Sequence, residues 1–174
     1  MNKADLLWLA GVMDADGYFT IKRNTNRMRL HDCVNPTFHE VVGIKQVVPV
    51  AADLLKALFG GSRSLQKPSA RNGQPLHGWY ASDKVAATVA KALLPYLRIK
   101  REQAAIILEL RAHKNRPRSE RQIQDGTFVM LNRWGKPVTM PRMVSHPDAL
   151  ALRADLHGRI RSLNDARSHQ PYLV

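Results

Sequence analysis

The stretch that most constrains the fold is Leu6 to Gly17, an apolar helical run that ends in two acidic residues and a glycine. A glycine inside a helix costs roughly 1 kcal/mol relative to alanine, so Gly11 next to Ala10 favours a close approach by another backbone. We therefore expect both apolar stripes of this helix to be buried, and one of them to pack against a second helix. The stripes consist of Leu6, Leu9, Ala10 and Met13, and of Leu7, Gly11 and Ala15.

The end of this helix carries an unfavourable charge. Asp16 lies where the helix stops, and a carboxylate at the negative end of a helix dipole is destabilising unless a cation is present. An ordinary N-terminal core helix with an Asp-Gly stop is the alternative that the pattern leaves open.

The charge of the chain favours a polyanionic partner. It contains 27 Lys and Arg against 14 Asp and Glu, which gives a net charge of +13. Nucleic acid is the leading candidate, and a merely basic surface is the alternative. We expect no membrane span, because no apolar run approaches the roughly 20 residues needed to cross a bilayer. The single cysteine, Cys33, has no partner for an intramolecular disulfide, which fits an intracellular, reducing compartment.

After Gly17 the sequence alternates with the period of a strand, and the chain then switches between strands and helices. The pattern predicts the order helix, hairpin, helix, hairpin, helix, with an antiparallel sheet covered by helices on one face. The predicted strands are 18–24, 27–31 with 37–47, 62–67 and 76–81, and the helices after the first are 50–59, 83–94 and 101–113.

The other face of the predicted sheet is polar. Curved β-ribbons can enter the major groove of DNA, where donors and acceptors reach base edges. A solvated sheet face is the alternative. The outward residues that we assign to DNA binding are Thr20, Lys22, Asn24, Arg29, Ser64, Gln66 and Tyr80.

Residues 9–17, Leu-Ala-Gly-Val-Met-Asp-Ala-Asp-Gly, resemble the signature of the LAGLIDADG homing endonucleases and differ from it at two hydrophobic positions. The resemblance implies an α+β fold with an αββαββα core, an antiparallel saddle-shaped sheet and C-terminal helices. It also implies that Asp16, with the backbone carbonyl of Ala15, binds Mg²⁺, and that Mn²⁺ or Ca²⁺ could occupy the same site. The motif helix would form a homodimer interface with Leu7, Ala10, Gly11 and Asp14.

Two further segments are similar to active-site segments of the same family. The run 95–104, Pro-Tyr-Leu-Arg-Ile-Lys-Arg-Glu-Gln-Ala, resembles one that supplies a catalytic lysine, which corresponds to Lys100. The run 42–46 resembles a strand end that supplies a glutamine, which corresponds to Gln46. Some members carry a basic residue a few positions later, and Val47, Val48 and Pro49 stand there instead.

The sequence predicts one domain over residues 1–174, with a core at about 4–114 and an extension at about 115–174. Within the extension, 126–144 indicates a hairpin whose tip holds Arg133 and Lys136, assigned to DNA, although a Trp packed in an irregular loop is an equal alternative. A final helix is predicted over 148–163. Residues 162–167 resemble the family's C-terminal Leu-Asn turn, which makes Arg167 a candidate DNA contact.

The sequence contains a single copy of the motif, which implies a homodimer because two acids must meet to cut two strands. A two-fold dimer predicts a long, pseudo-palindromic DNA target. The resemblance implies a site-specific endonuclease that makes a staggered double-strand break by metal-dependent phosphodiester hydrolysis. The alternatives are a non-catalytic DNA-binding regulator, and an RNA maturase that binds host-intron RNA through the same fold.

Overall fold

The computed structural model describes residues 2–25, 36–68 and 73–168. The sequence-predicted order of helices and strands is present, and a second, two-stranded sheet follows it. In chain order the elements are α1 (Lys3–Ala15), β1 (Gly17–Asn24), β2 (Thr37–Gln46), α2 (Val50–Phe59), β3 (Ser62–Gln66), β4 (Leu76–Ser82), α3 (Asp83–Leu93), α4 (Arg101–Lys114), α5 (Arg118–Arg121), β5 (Gln122–Leu131), β6 (Pro137–Ser145) and α6 (Pro147–Ser168).

Strands β1 to β4 form one antiparallel sheet in the order β1-β2-β4-β3. Phe19 lies opposite Val42, and Val42 lies opposite Ala81, so their side chains share one face. All three are buried, as the period-two alternation of the sequence predicts. Helices cover this face, and the other face carries polar side chains.

The core lies between the covered face of the sheet and the helices. Leu9 and Met13 of α1 are buried, and so are Leu93 of α3 and Ile107 of α4. Burial of each such side chain stabilises the fold by roughly 1.5–3 kcal/mol. The predicted stripe of Leu6, Leu9, Ala10 and Met13 is therefore the face of α1 that packs within its own chain.

A charged cluster ties α4 to the sheet. Glu40 is completely buried, and its carboxylate pairs with Arg111 at 3.0 Å and with Lys114 at 2.7 Å. Lys114 also reaches Asp83, the first residue of α3, at 3.0 Å. Burial of Asp83 acts to raise the pKa of its carboxyl, but hydrogen bonds and charges from Lys114 and His39 outweigh it, so the pKa is lowered.

The C-terminal part of the chain differs from two expectations. Residues 162–167 are helical, so the predicted Leu-Asn turn is wrong: α6 contains no glycine or proline after Gly158 to end it. The hairpin is also longer than predicted and spans Gln122 to Ser145. Across residues 2–25, 36–68 and 73–168, no helix has the length and apolar character to cross a membrane.

Candidate functional site

The C-terminal end of α1 carries an exposed carboxylate that a neighbouring strand holds in place. Asp16 is the residue that caps α1, and β1 begins at the next residue. Gly17 lies opposite Ile44 in the sheet, which brings the end of β2 beside the end of the helix. Gln46 Nε2 donates a hydrogen bond of 2.6 Å to Asp16 Oδ2. The two side chains therefore meet although they are far apart in the sequence.

Lys100 supplies a cation at the same helix end. Its Nζ donates to the carbonyl oxygens of Met13 at 2.9 Å, Ala15 at 3.2 Å and Gly17 at 2.6 Å. These contacts place a positive charge at the negative end of the α1 dipole, where it is stabilising. A cation is thus present beside Asp16 within the chain itself. The side chains of Asp16, Gln46 and Lys100 all lie at the C-terminal end of α1.

Asp14 positions the segment that carries Lys100. Its Oδ2 accepts a hydrogen bond from Arg98 N at 2.7 Å, and its Oδ1 accepts one from Lys100 N at 2.8 Å. Because the Asp14 carboxylate is buried by these contacts, it is not available to a partner. Ala10 is also buried in the chain's own core. The predicted interface is therefore corrected. Ala10 and Asp14 lie on the inner side of α1, and of the four predicted residues only Leu7 and Gly11 lie on its outer side.

The outer side of α1 is apolar and uncovered. Leu7 is 50% exposed and Trp8 is 46% exposed, and Ala15 is exposed on the same side. A Cβ atom added at Gly11 would meet nothing within 4 Å. Nothing in the described part of the protomer therefore explains a glycine at this position. Sequence reasoning missed Trp8, although its spacing of three from Gly11 places both on one helical stripe.

The donor atoms at this site are few, and they suit a hard cation. Within the three described ranges, no three His, Cys, Asp or Glu side chains are grouped for metal binding. One protomer offers two hard oxygen ligands: the exposed carboxylate of Asp16 and the carbonyl oxygen of Ala15. The Ala15 oxygen also accepts from Lys100 Nζ at 3.2 Å and keeps a second lone pair. Mg²⁺ binds through one or two carboxylates and retains several waters, so this donor set is compatible with it.

The outer face of the sheet continues from Asp16 as a polar surface. The register of the strands places the side chains of Thr20, Lys22 and Asn24 on this face of β1, and those of Ser64, Gln66 and Tyr80 on the same face of β3 and β4. Arg29 lies outside the described residues. Sequence reasoning missed Tyr18, which alternation places in phase with Thr20. The register also places the side chain of Lys45 on this face.

A groove on this face lies near the centre of the sheet. Its lining includes Tyr18, Lys22, Lys45, Ser64, Gln66 and Tyr80. Gly43 makes room for the ring of Tyr18, because a Cβ atom there would lie 2.4 Å from the Tyr18 hydroxyl. Burial raises the pKa of Tyr18, and the neighbouring Tyr80 adds to the effect. The Tyr18 phenol is therefore a neutral donor and acceptor at neutral pH.

The remaining predicted contacts lie far from this groove along the chain. Arg133 and Lys136 are exposed at the tip between β5 and β6, a sheet separate from β1–β4. The backbone of Arg167 belongs to α6, but its side chain lies outside the described part of the structure.

No family model matches the sequence, and no curated protein matches it. Solved structures do match its fold. The homing endonuclease I-CvuI, bound to the I-CreI target with Mg, has 19% identity and a TM-score of 0.60, over 94% of this chain and 86% of that one. The archaeal intron-encoded homing endonuclease I-Vdi141I, in complex with DNA, has 12% identity and a TM-score of 0.61, over 92% of this chain and 84% of that one. The motif helix, the sheet order and these similarities together give the chain the fold of the LAGLIDADG homing endonucleases.

Proposed function

We propose that the protein is a homodimeric, site-specific endonuclease that cuts both strands of a DNA duplex by metal-dependent phosphodiester hydrolysis and leaves a staggered break. The observation that carries this proposal is the meeting of Asp16, Gln46 and Lys100 at the end of α1, next to the polar face of the sheet. An exposed carboxylate, an amide and an ammonium group at one point are suited to a phosphodiester.

The similar structures support the same reading. I-CvuI was solved with a DNA target in the presence of Mg, with the DNA not cleaved, and with its own target in the presence of Ca. I-Vdi141I was solved in complex with DNA. A shared fold alone does not carry an activity to this chain, so the proposal depends on the side chains at its own site.

The residues that would hold the metal are Asp16 and, through its backbone oxygen, Ala15. Bound Mg²⁺ would lower the pKa of a water and neutralise charge on the phosphate and on the leaving oxygen. Gln46 orients the Asp16 carboxylate through its 2.6 Å hydrogen bond and keeps a second amide hydrogen for a water or a phosphate oxygen. Lys100 places a positive charge beside the phosphate, where it offsets developing negative charge.

A second copy of the chain would complete the site. Helix α1 exposes Leu7, Trp8, Gly11 and Ala15 on one side, and it ends at Asp16. Pairing of two such helices about a two-fold axis would bury these residues and bring the two Asp16 carboxylates together. Like charges at short range repel unless cations lie between them, so this arrangement favours bound metal.

The outer face of the sheet would read the DNA. Its side chains, among them Lys22, Lys45 and Gln66, offer donors and acceptors of the kind that contact base edges and phosphates in the major groove. No observed contact favours RNA over DNA, and the maturase alternative stays a hypothesis.

The test is cleavage of a duplex that joins the two sequences flanking the coding frame, together with a random-sequence duplex pool. We expect the protein with Mg²⁺ to cut at one site on each strand, and EDTA or Asp16→Asn to abolish cutting. Asp155→Asn, an exposed change on α6, is the matched control and should cut normally. Binding that is specific but never followed by cleavage would support the regulator instead, and absence of duplex binding would refute both.

A further inference from the structure

The β5–β6 hairpin is the largest feature that the proposed site does not use. None of its residues from Gln122 to Ser145 is buried. Strands of about ten residues extend roughly 30 Å, so the hairpin is a long arm. Val129 is 65% exposed, Leu131 is 64% exposed and Trp134 is 69% exposed. Exposed apolar side chains on this scale indicate a contact surface.

Hydrogen bonds within the tip of the hairpin order its backbone in the free protein. Asn132 Oδ1 accepts hydrogen bonds from Trp134 N and from Lys136 N, each at 3.0 Å. Gly135 has a φ of +74°, a conformation that residues with a side chain rarely adopt. Its N–H donates to Asn132 O at 2.9 Å. The Arg133 guanidinium lies 4.3 Å from the centre of the Trp134 ring. The tip therefore presents an aromatic ring and two cations with little ordering cost on binding.

The base of the hairpin is a cluster of cations linked by hydrogen bonds. Arg116 N donates to His113 O at 3.2 Å, and Arg121 Nε donates to Arg116 O at 2.7 Å. His146 N donates to Arg121 O at 2.9 Å, and Arg153 Nη1 donates to the neighbouring Ser145 Oγ at 3.3 Å. The cluster thus joins the end of α4, both strands of the hairpin and α6.

This cluster has unused donors and little negative charge. Among the residues that the structure describes, Arg153 Nε and both ring nitrogens of His113 are buried and have no hydrogen-bond partner. Burial and the adjacent arginines lower the pKa of His113, and burial and Arg121 lower the pKa of Arg153. The acidic group acting on His113 in the opposite sense is Glu120. An anion at this place would relieve the mutual repulsion of the arginines.

We propose that the hairpin and its arginine-rich base form a second DNA-binding surface, separate from the four-stranded sheet. Arg116, Arg121 and Arg153 hold a backbone phosphate of the duplex that flanks the sheet. The tip places Trp134, with Arg133 and Lys136, against the sugar-phosphate wall of the next groove. The proposal rests on the proposed function, because it requires DNA to lie on the same protomer.

Charge decides between DNA and a second copy of the chain as the occupant. Residues 116–145 contain six Arg or Lys and two acidic residues. Two copies of this basic surface would repel one another, whereas a duplex is a polyanion. Apolar side chains next to cations are also typical of proteins that insert into or lie along the minor groove.

The position of the base sets which part of the duplex it meets. Lys100, beside Asp16, precedes α4, and His113 lies near the other end of that helix. A helix of 14 residues is about 20 Å long. The second surface therefore begins about 20 Å from the proposed cutting site, and it would lengthen the recognised duplex on each side.

The experiment compares binding to long and short duplexes. A 50-base-pair duplex selected by the wild-type protein from a random pool, and its central 24 base pairs alone, are titrated in EDTA at several salt concentrations. Arg133→Ala with Lys136→Ala should weaken binding to the long duplex at least tenfold. It should also make the negative slope of log K against log salt shallower by about 2. Arg116→Ala should make this slope shallower by about 1. Lys84→Ala with Lys91→Ala, exposed on α3, is the matched control and should change neither.

Trp134 gives an independent measurement. The fluorescence difference between the wild type and Trp134→Phe should become less accessible to acrylamide when the long duplex is added, but not when the short duplex is added. This inference would be overturned if the hairpin variant bound each duplex as tightly as the wild type does. It would also be overturned if the long duplex left Trp134 accessible to acrylamide. Either result would leave the proposed function standing. A hairpin variant that changes only the oligomeric state would assign the surface to a second copy. A wild-type protein that binds no duplex would refute the proposed function as well.

Discussion

Gln46 Nε2 lies 2.6 Å from Asp16 Oδ2, so the end of strand β2 fixes the carboxylate at the end of helix α1. Asp14, two residues earlier, has the opposite environment, because its carboxylate is buried against Arg98 N and Lys100 N. One acidic residue of the motif is thus exposed at the end of the helix, and the other is buried in hydrogen bonds within the fold.

This difference predicts opposite phenotypes for two similar substitutions. Asp16→Asn should lower metal-dependent cleavage by more than about 100-fold, since metal ligands are more sensitive than their supporting residues, and should leave the unfolding free energy within about 0.5 kcal/mol. Asp14→Asn should lower the unfolding free energy by about 1–3 kcal/mol, because its amide leaves one buried N–H without an acceptor. Urea unfolding and cleavage assays measure both. Equal stability losses in the two variants would contradict the assignment.

Lys100 should contribute to stability as well as to cleavage. Lys100→Met removes the charge from the end of α1 and takes away the ammonium donor of the Met13 and Gly17 carbonyls. We expect a loss of about 1–2 kcal/mol in the free energy of unfolding, measured in urea, together with loss of cleavage. Lys100→Arg should not restore either property fully, because a planar guanidinium cannot replace a compact ammonium group among three carbonyls. The exposed Lys91→Met is the control, and a similar stability loss there would contradict the prediction.

Gly11 allows a direct test of the proposed dimer. Gly11 and Gly158 are both exposed helical glycines, and an added Cβ at either meets nothing within 4 Å in the protomer. Gly158→Leu should stabilise the protein by up to about 1 kcal/mol through helix propensity. Gly11→Leu should raise the dimer dissociation constant at least about tenfold, because overpacking at a close helix contact costs about 1–3 kcal/mol. Sedimentation velocity distinguishes the two, and an unchanged dimer in Gly11→Leu would exclude α1 as the interface.

One buried and one half-buried histidine, His113 and His157, predict a loss of stability on mild acidification. Burial and neighbouring arginines lower the pKa of His113, and burial with Arg23 and Arg161 lowers the pKa of His157, both below the usual 6.5. The unfolded chain therefore binds protons first as the pH falls, and protonation favours unfolding. Stability should be complete above about pH 6.5 and should decline below it.

The measurement is the midpoint of thermal unfolding between pH 7.5 and pH 5.5. His113→Gln with His157→Gln should flatten the dependence on pH over this interval, since glutamine does not titrate. The half-exposed His39 is paired with Asp83, and His39→Gln is the comparison that should keep the decline. A wild-type midpoint that is constant over this interval would refute the prediction.

The alternation of the sequence predicted the sheet well because each strand has one buried face. Phe19 and Ile21 alternate with Thr20 and Lys22, so the orientation of β1 follows from hydrophobicity alone. Gln46 and Lys100 could not be placed by pattern, because their proximity to Asp16 depends on packing between distant elements. Their prediction came from the family resemblance.

The two sides of α1 could not be told apart by hydrophobicity. Both stripes are apolar, so the sequence did not decide whether Ala10 or Gly11 faces outward, and packing against the core decides it. The hairpin was underestimated for a different reason. Its exposed strands do not alternate cleanly between polar and apolar residues, and Pro141 interrupts the pattern within β6.

The exposed side of α1 has a kinetic consequence. If Leu7, Trp8 and Gly11 join two protomers, an isolated chain holds half of the carboxylates needed and cannot cut. The initial rate of cleavage should then rise with the square of the protein concentration when most of the protein is monomeric. It should rise linearly once the protein is dimeric and DNA is still in excess. At a few molecules per cell the protein would not cut until two protomers met on one duplex. The helix contact would therefore set a minimum protein concentration for cleavage of the genome.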